Sequence, residues 1–151
     1  MLTTEQLKAL MTDLESDRAE RTISTKSTDK LGEAVCAFAN DFPNNRQPGY
    51  LLVGVDNGGK PSGLKVTDEL LLDLGALRSN VNIEPLPAIV VEKHTLPDGD
   101  VAVVEVLPSD LPPVRYKGRV WIRIGPSRRG ANQQEERILT EKRTALQKTF
   151  D

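Results

Sequence analysis

GYLLVGVDNGG, Gly49 to Gly59, reads as a buried strand running into a tight turn. Its centre, LLVGV, is apolar without polar alternation, the pattern of a strand covered on both faces. Asp56 closes the strand, and Asn57-Gly58-Gly59 has the composition of a turn. Upstream, FPNNRQPG is rich in Pro, Asn and Gly and reads as an exposed loop. Before that loop, CAFAND (Cys36 to Asp41) ends a helical pattern with Leu31, Ala34, Val35 and Phe38 on its inner face. Ser27, Thr28 and Asp29 offer N-cap chemistry for this helix, and Asn40 is its stop. Further upstream, AERTIS offers a short edge strand. Leu7, Leu10, Met11 and Leu14 follow helical spacing over residues 4–15, with Thr3 or Thr4 as cap and Glu15 at the end.

Downstream, residues 67–79 repeat the helical pattern, with Thr67 as cap, Asp68 and Glu69 in the first turn, and Leu70, Leu71, Leu74 and Leu77 facing inward. Pro85 and Pro87 delimit a strand AIVVEKHTL, and Asp98-Gly99 turns it into VAVVEVL. Pro112 and Pro113 precede a last hairpin, VRY and RVWIRI around Lys117-Gly118, followed by a basic loop from Gly125 to Arg129. Asn132 and Glu135 then form a capping-box-like start to a helix reaching about Lys148. The order is α-β-α-β-α-β-β-β-β-α, which predicts an α+β fold, a mixed β-sheet with packed helices.

At 151 residues the chain is expected to form a single domain, residues 1–151. Charged residues make up 28% and aromatics 4%, the balance of a soluble globular protein. No apolar run reaches membrane-spanning length, and MLTTEQLKALMTDLE reads as an amphipathic helix instead of a signal peptide, so the expected location is cytoplasmic with no membrane partner. One cysteine, Cys36, excludes an internal disulfide and a multi-cysteine zinc site, so any metal would need oxygen ligands. Net charge is −2 but unevenly spread: residues 1–110 hold 10 Lys/Arg and 18 Asp/Glu (−8), residues 111–151 hold 10 and 4 (+6). Between Leu111 and Gly130 lie six basic residues and no acidic ones. Such segregation makes a local positive field or a solvated hairpin.

The ordered set of an acidic E-x4-E segment (Glu15, Glu20), an AFAN helix end, a GVD-x-G-G strand exit and the hairpin PPVRYKGRVWIRIGPSRR resembles the Schlafen AlbA-type domain, also called the divergent AAA putative DNA-binding domain. The resemblance covers roughly residues 13–143. It implies an AlbA/Schlafen-core-like fold and a bacterial nucleic-acid-binding (DNA-binding) domain of a transcriptional-regulator-like or helicase-related protein. In that family the domain commonly precedes others, so this chain is consistent with a domain excised from a longer protein, with C-terminal domains beyond it.

The resemblance also implies a second reading, a divalent-metal-dependent endoribonuclease with Glu15, Glu20 and Asp56 as catalytic and metal-ligating carboxylates. Hard oxygen ligands would then hold Mg2+ or Mn2+ to activate water. The family often carries Lys two residues after the second Glu, and Thr22 stands there. The bland alternative leaves Glu15 and Glu20 in solvent at a helix end and gives Asp56 an Asx-type turn. The isolated domain is therefore read first as a binding module with no certain cofactor. Gly54 to Lys60 matches a G-x4-G-K spacing, but Pro61 replaces the magnesium-binding hydroxyl and no helix follows, so a strand-exit turn is expected. His94 reads as a surface residue and Cys36 as a small buried hydrophobe.

For contact with DNA or RNA the candidates are Arg115, Lys117, Arg119, Trp121, Arg123, Arg128 and Arg129. Alternation along RVWIRI puts Val120, Ile122 and Ile124 on one face and Arg119, Trp121 and Arg123 on the other. If exposed, that second face offers cations for phosphates and an indole for an unpaired base. Loss of Arg119 or Arg123 is then expected to weaken binding without unfolding. If instead Trp121 packs under the last helix and the arginines pair with its acids, the hairpin is structural; a third reading is a protein-interaction or homo-oligomerisation module in which Trp121 is buried against a partner chain.

Overall fold

The structure is a computed structural model that describes residues 2–23, 25–26 and 28–150, the last two by backbone alone. Ser27, expected to help cap the second helix, and Asp151 lie outside the described residues. Among the described residues, four helices pack on two four-stranded sheets. Strand β2 (Gly49–Val53) is buried at every position. Tyr50 and Leu52 face one apolar cluster, and Leu51 and Val53 face another. An apolar run without alternation was needed because both faces of this strand are core.

Around β2, the first sheet runs β1 (Ala19–Thr22), β2, β5 (Gly99–Val106), β4 (Ile89–Leu96). The β1–β2 pair is parallel and the others antiparallel, so the sheet is mixed. Helix α1 (Thr4–Thr12) covers one face through Leu7 and Met11. Its capping box is reciprocal between Thr3 and Gln6, and it ends at Thr12, three residues before Glu15. Helix α2 (Thr28–Asn40) covers the other face, beside α3 (Asp68–Gly75) and the 3-10 turn Ala76–Ser79. Thr67 caps α3 as expected; of the leucines expected to face inward, Leu74 of α3 and Leu77 of the 3-10 turn are buried and Leu70 and Leu71 are partly buried against the same core, while Leu72, not among them, is exposed.

The second sheet, β3-β6-β7-β8, is where the structure adds most. It joins β3 (Ile83–Glu84), β6 (Arg115–Tyr116), β7 (Arg119–Ile124) and β8 (Ser127–Gly130). Ile83 and Glu84 are too few to show a period, and the basic loop of the sequence reading is instead a strand paired with β7 from Trp121–Gly130 to Ile124–Ser127. Helix α2 is thereby sandwiched: its apolar residues meet Leu51, Val53 and Val104 on one side and Val114, Tyr116 and Trp121 on the other. A Cβ on Gly32 would overlap the Tyr116 ring, so glycine sets how closely α2 approaches the second sheet. On the outer face, Val120 and Ile122 pack with Leu139 of α4 (Gln133–Phe150).

Asn40 joins these layers. Fully buried at the end of α2, its Nδ2 donates to the carbonyls of Val114 (3.0 Å) and Trp121 (2.7 Å), and its Oδ1 accepts from the Val114 amide at 2.6 Å. Lys142 of α4 donates to the carbonyls of Asn40 and Asp41, at 3.1 and 2.8 Å, a cation capping the C-terminus of α2. Among the described residues no helix is long and apolar enough to cross a membrane. Replacing Asn40 with Ala strands the Val114 amide and the Trp121 carbonyl away from water and leaves the Val114 carbonyl only the Cys36 thiol. It is expected to cost about 3 kcal/mol, read as a fall in the urea midpoint; an unchanged midpoint would show that these bonds do not hold the layers together.

Candidate functional site

The hairpin β7–β8 lies between the N-terminal ends of α2 and α4, and a short ion network ties it to the first sheet. Glu20, on edge strand β1, accepts from Arg123 Nη1 through Oε1 (2.8 Å) and from Arg128 Nη1 through Oε2 (2.7 Å). Arg123 Nη2 also donates to the carbonyls of Ala19 (2.8 Å), Pro126 (3.3 Å) and Ser16 (3.4 Å), and its guanidinium lies 5.6 Å from the Phe38 ring centroid. Arg128 reaches the Lys30 carbonyl at 3.0 Å and Glu33 at 3.6 Å. Burial lowers the Arg123 pKa, opposed by the charge of Glu20.

Arg123 is therefore not part of an exposed cationic face; it is 6% exposed. The alternation along β7 holds from Arg119 to Ile122, but α2 and α4 sandwich the strand, so Ile122 and Arg123 are both interior. Trp121 is half-buried against the main core, beside α2 and not under α4. Its ring is capped by the Arg119 guanidinium, 4.8 Å from the centroid. That guanidinium also fills the space above Gly130, where a Cβ would collide with it.

The other cations of the hairpin meet carboxylates. Arg129 forms a two-pronged pair with Glu135 (Nη1–Oε1 2.7 Å, Nη2–Oε2 2.6 Å). Arg115 meets Glu136 at 3.0 Å and Lys117 meets Asp29 at 2.6 Å. Glu135 also completes the capping box with Asn132, accepting the Asn132 amide at 3.0 Å while its own amide donates to Asn132 Oδ1 at 2.8 Å. Arg129 holds the Glu135 carboxyl below its ordinary 4.5, and Lys117, helped by the Tyr116 hydroxyl, holds Asp29 below its ordinary 3.8. Burial and the Asp29 carboxylate push Tyr116 up to about 12.

Glu15, Glu20 and Asp56 occupy three different environments. Glu15 is exposed in the turn after α1, its amide bonded to Asp13 Oδ1 at 3.2 Å. Glu20 is occupied by the two guanidinium groups. Asp56 Oδ1 accepts the amides of Gly58 (2.9 Å) and Lys60 (3.0 Å), an Asx-type turn. Gly59, at φ 84°, lies against the Met11 carbonyl, so the G-x4-G-K segment is a closed turn seated on α1, not a phosphate cradle. Among the described residues no three His, Cys, Asp or Glu side chains form a group able to hold a metal ion. His94 is paired with Glu92 at 3.0 Å and largely buried, not a free surface residue. Burial pushes the Cys36 thiol up to about 12, and its Sγ donates to the Val114 carbonyl at 3.1 Å. Pairing of hairpin arginines with acids of the last helix, one of the two alternatives for the hairpin, is seen at Arg115–Glu136 and Arg129–Glu135. The sequence reading missed Glu20 and Asp29 as partners of the hairpin, Asp29 having carried only an N-cap signal.

The family model described as Schlafen, AlbA_2 matches residues 15–132. Among solved structures, the chain is similar to the N-terminal domain of a RecG-related protein from Nitrosomonas europaea, with 25% identity and a TM-score of 0.56 over 80% of this chain and 90% of that one. It is also similar to the DIP2311 protein from Corynebacterium diphtheriae, with 18% identity and a TM-score of 0.57 over 87% of this chain and 30% of that one. The chain thus spans under a third of the Corynebacterium protein. A comparison with curated proteins finds no match.

Removing Arg123 leaves Glu20 half-paired in the interior, so Arg123→Ala is expected to cost about 3 kcal/mol, whereas exposed Arg119→Ala stays within about 0.5 kcal/mol; equal urea midpoints for the two would contradict this. Glu135 has its pKa lowered on folding, so its contribution is full above about 4.5 and is lost as pH falls through the depressed value. Glu135→Gln is thus expected to lower Tm at pH 7 and to show a shrinking deficit as the melt is repeated at lower pH below 4.5.

Proposed function

The chain belongs to the Schlafen AlbA_2 family, and from that membership we propose that it is a nucleic-acid-binding domain whose hairpin face engages the sugar-phosphate backbone. The observation that carries this reading is Arg119. Among the described residues it is the one cation of the hairpin without a carboxylate partner, exposed and braced over Trp121. A guanidinium stacked on an indole is fixed in direction while its outer N–H edge stays free to donate to phosphate. Arg115, Lys117 and Arg129 are also open to solvent, with side chains 43%, 54% and 48% exposed, and the register puts Arg115 and Arg129 on the Val120–Ile122 side of the sheet, opposite Arg119. Arg123 and Arg128 serve by anchoring the hairpin to Glu20.

Arg119 covers one face of Trp121 and the core takes much of the rest, so the indole acts as a platform for the arginine, not as a stacking site for a base. Backbone contact of this kind positions a ligand without reading its sequence. The similarity to an N-terminal domain of a RecG-related protein supports placing this domain at the N-terminus of a longer, regulator-like or helicase-related bacterial protein. The metal-dependent endoribonuclease reading would need Glu20 released from two arginines and Asp56 from its turn, and no observation favours it here.

Fluorescence anisotropy with labelled duplex DNA and structured RNA, in EDTA and at several salt concentrations, tests the proposal. Affinity is expected to fall steeply with salt. Arg119→Ala should weaken binding about three- to tenfold, with the log–log salt slope reduced by about 0.9 and Tm unchanged. Unaltered affinity in that variant would remove this surface from consideration.

A further inference from the structure

The cations of the hairpin are arranged for anions and are already holding them. Arg115, Lys117, Arg123, Arg128 and Arg129 each meet a carboxylate of the same chain. Three of those carboxylates, Asp29, Glu135 and Glu136, come from the first turns of α2 and α4, which flank the hairpin. A carboxylate on a guanidinium or ammonium uses the same donor directions that a phosphate oxygen would use.

Burial separates these pairs into two kinds. Glu20 and Glu135 are 13% and 11% exposed at the side chain, and each has further hydrogen bonds that integrate it into the fold. Asp29 and Glu136 are 58% and 31% exposed, facing partners that are themselves open to solvent. Exposed pairs of this kind contribute little stability and exchange readily. We propose that Asp29 and Glu136 are built-in phosphate mimics, an autoinhibitory contact that nucleic acid displaces from Lys117 and Arg115 on binding; the inference rests on the nucleic-acid reading above.

Binding by exchange has a specific energetic signature. Each displaced carboxylate remains beside the phosphate that replaced it, and that repulsion weakens the complex. Removing the two negative charges relieves it while leaving the cations in place. With Asp29→Asn, the side-chain amide oxygen would still accept from the Tyr116 hydroxyl, which bonds Asp29 Oδ1 at 2.7 Å.

The test compares wild type, D29N/E136Q and a control, E5Q/D98N, with the same change in net charge on the α1 side of the first sheet, by anisotropy against a labelled DNA duplex and an RNA hairpin. The double variant is expected to bind about tenfold tighter than wild type at moderate salt, with the control close to wild type. Binding by the double variant alone, with none by wild type, would also support a closed contact. Wild-type binding that is not tightened, or is tightened equally by the control, would overturn the exchange and leave the binding surface standing. Absence of binding by every folded variant would overturn the binding reading and the exchange with it. E136Q alone, which spares the Tyr116 bond, gives the same comparison if the double variant does not fold, with about a threefold gain expected.

Discussion

Glu20 is the point on which the two sheets turn. A carboxylate at the edge of the first sheet and two guanidinium groups from the second meet with little solvent access, and such charges are tolerated in the interior only when their hydrogen bonds are met. Arg123 meets most of that demand with three backbone carbonyls besides Glu20, one of which, that of Ala19, belongs to β1 itself, while its Nε is buried without a partner. The network therefore gives the outer edge of β1 a partner at the Ala19 carbonyl, which would otherwise be left without a neighbouring strand. It also sets the distance between the sheets in which α2 must fit.

Helix α2 answers to that spacing on both sides. Small residues, Gly32, Ala34 and Ala39, allow close approach, and Asn40 satisfies backbone groups of the second sheet that no strand pairs. Once α2 and the Glu20 network are in place, the orientation of the hairpin is settled: Arg123 and Arg128 turn inward, and Arg119, Arg115, Lys117 and Arg129 remain at the surface. The basic segment is thus less charged in effect than in composition, because helix-terminal acids balance most of it. Among the described residues of the hairpin, the cation left without a carboxylate is Arg119, braced over Trp121.

Local pattern was enough for much of this fold. The apolar run Leu51 to Val55 announced a strand buried on both faces, helical spacing placed α1, α2 and α3, and Thr67 and Asn132 marked the starts of α3 and α4 because capping is chemistry between near neighbours. The short strands β3 and β8 were not legible. Two or four residues carry too little periodicity, and the basic composition of Ser127 to Gly130 describes a loop as well as an edge strand. The turn at Asp56 was anticipated as one of two alternatives, since an Asx-type turn needs only amides two and four residues away.

By itself the sequence determined the α+β class, the order of the major elements, the buried β2 strand and the resemblance of its motifs to a known family, because these depend on composition and spacing within a few turns of chain. Only the tertiary structure decided which charges are free. Glu20 and Arg123 are 103 residues apart, Asp29 and Lys117 lie on different elements, and Trp121 meets the core on one side and Arg119 on the other. Pairing between distant ions follows from how layers stack, and the strand period of two cannot tell a face open to solvent from one pressed against a helix.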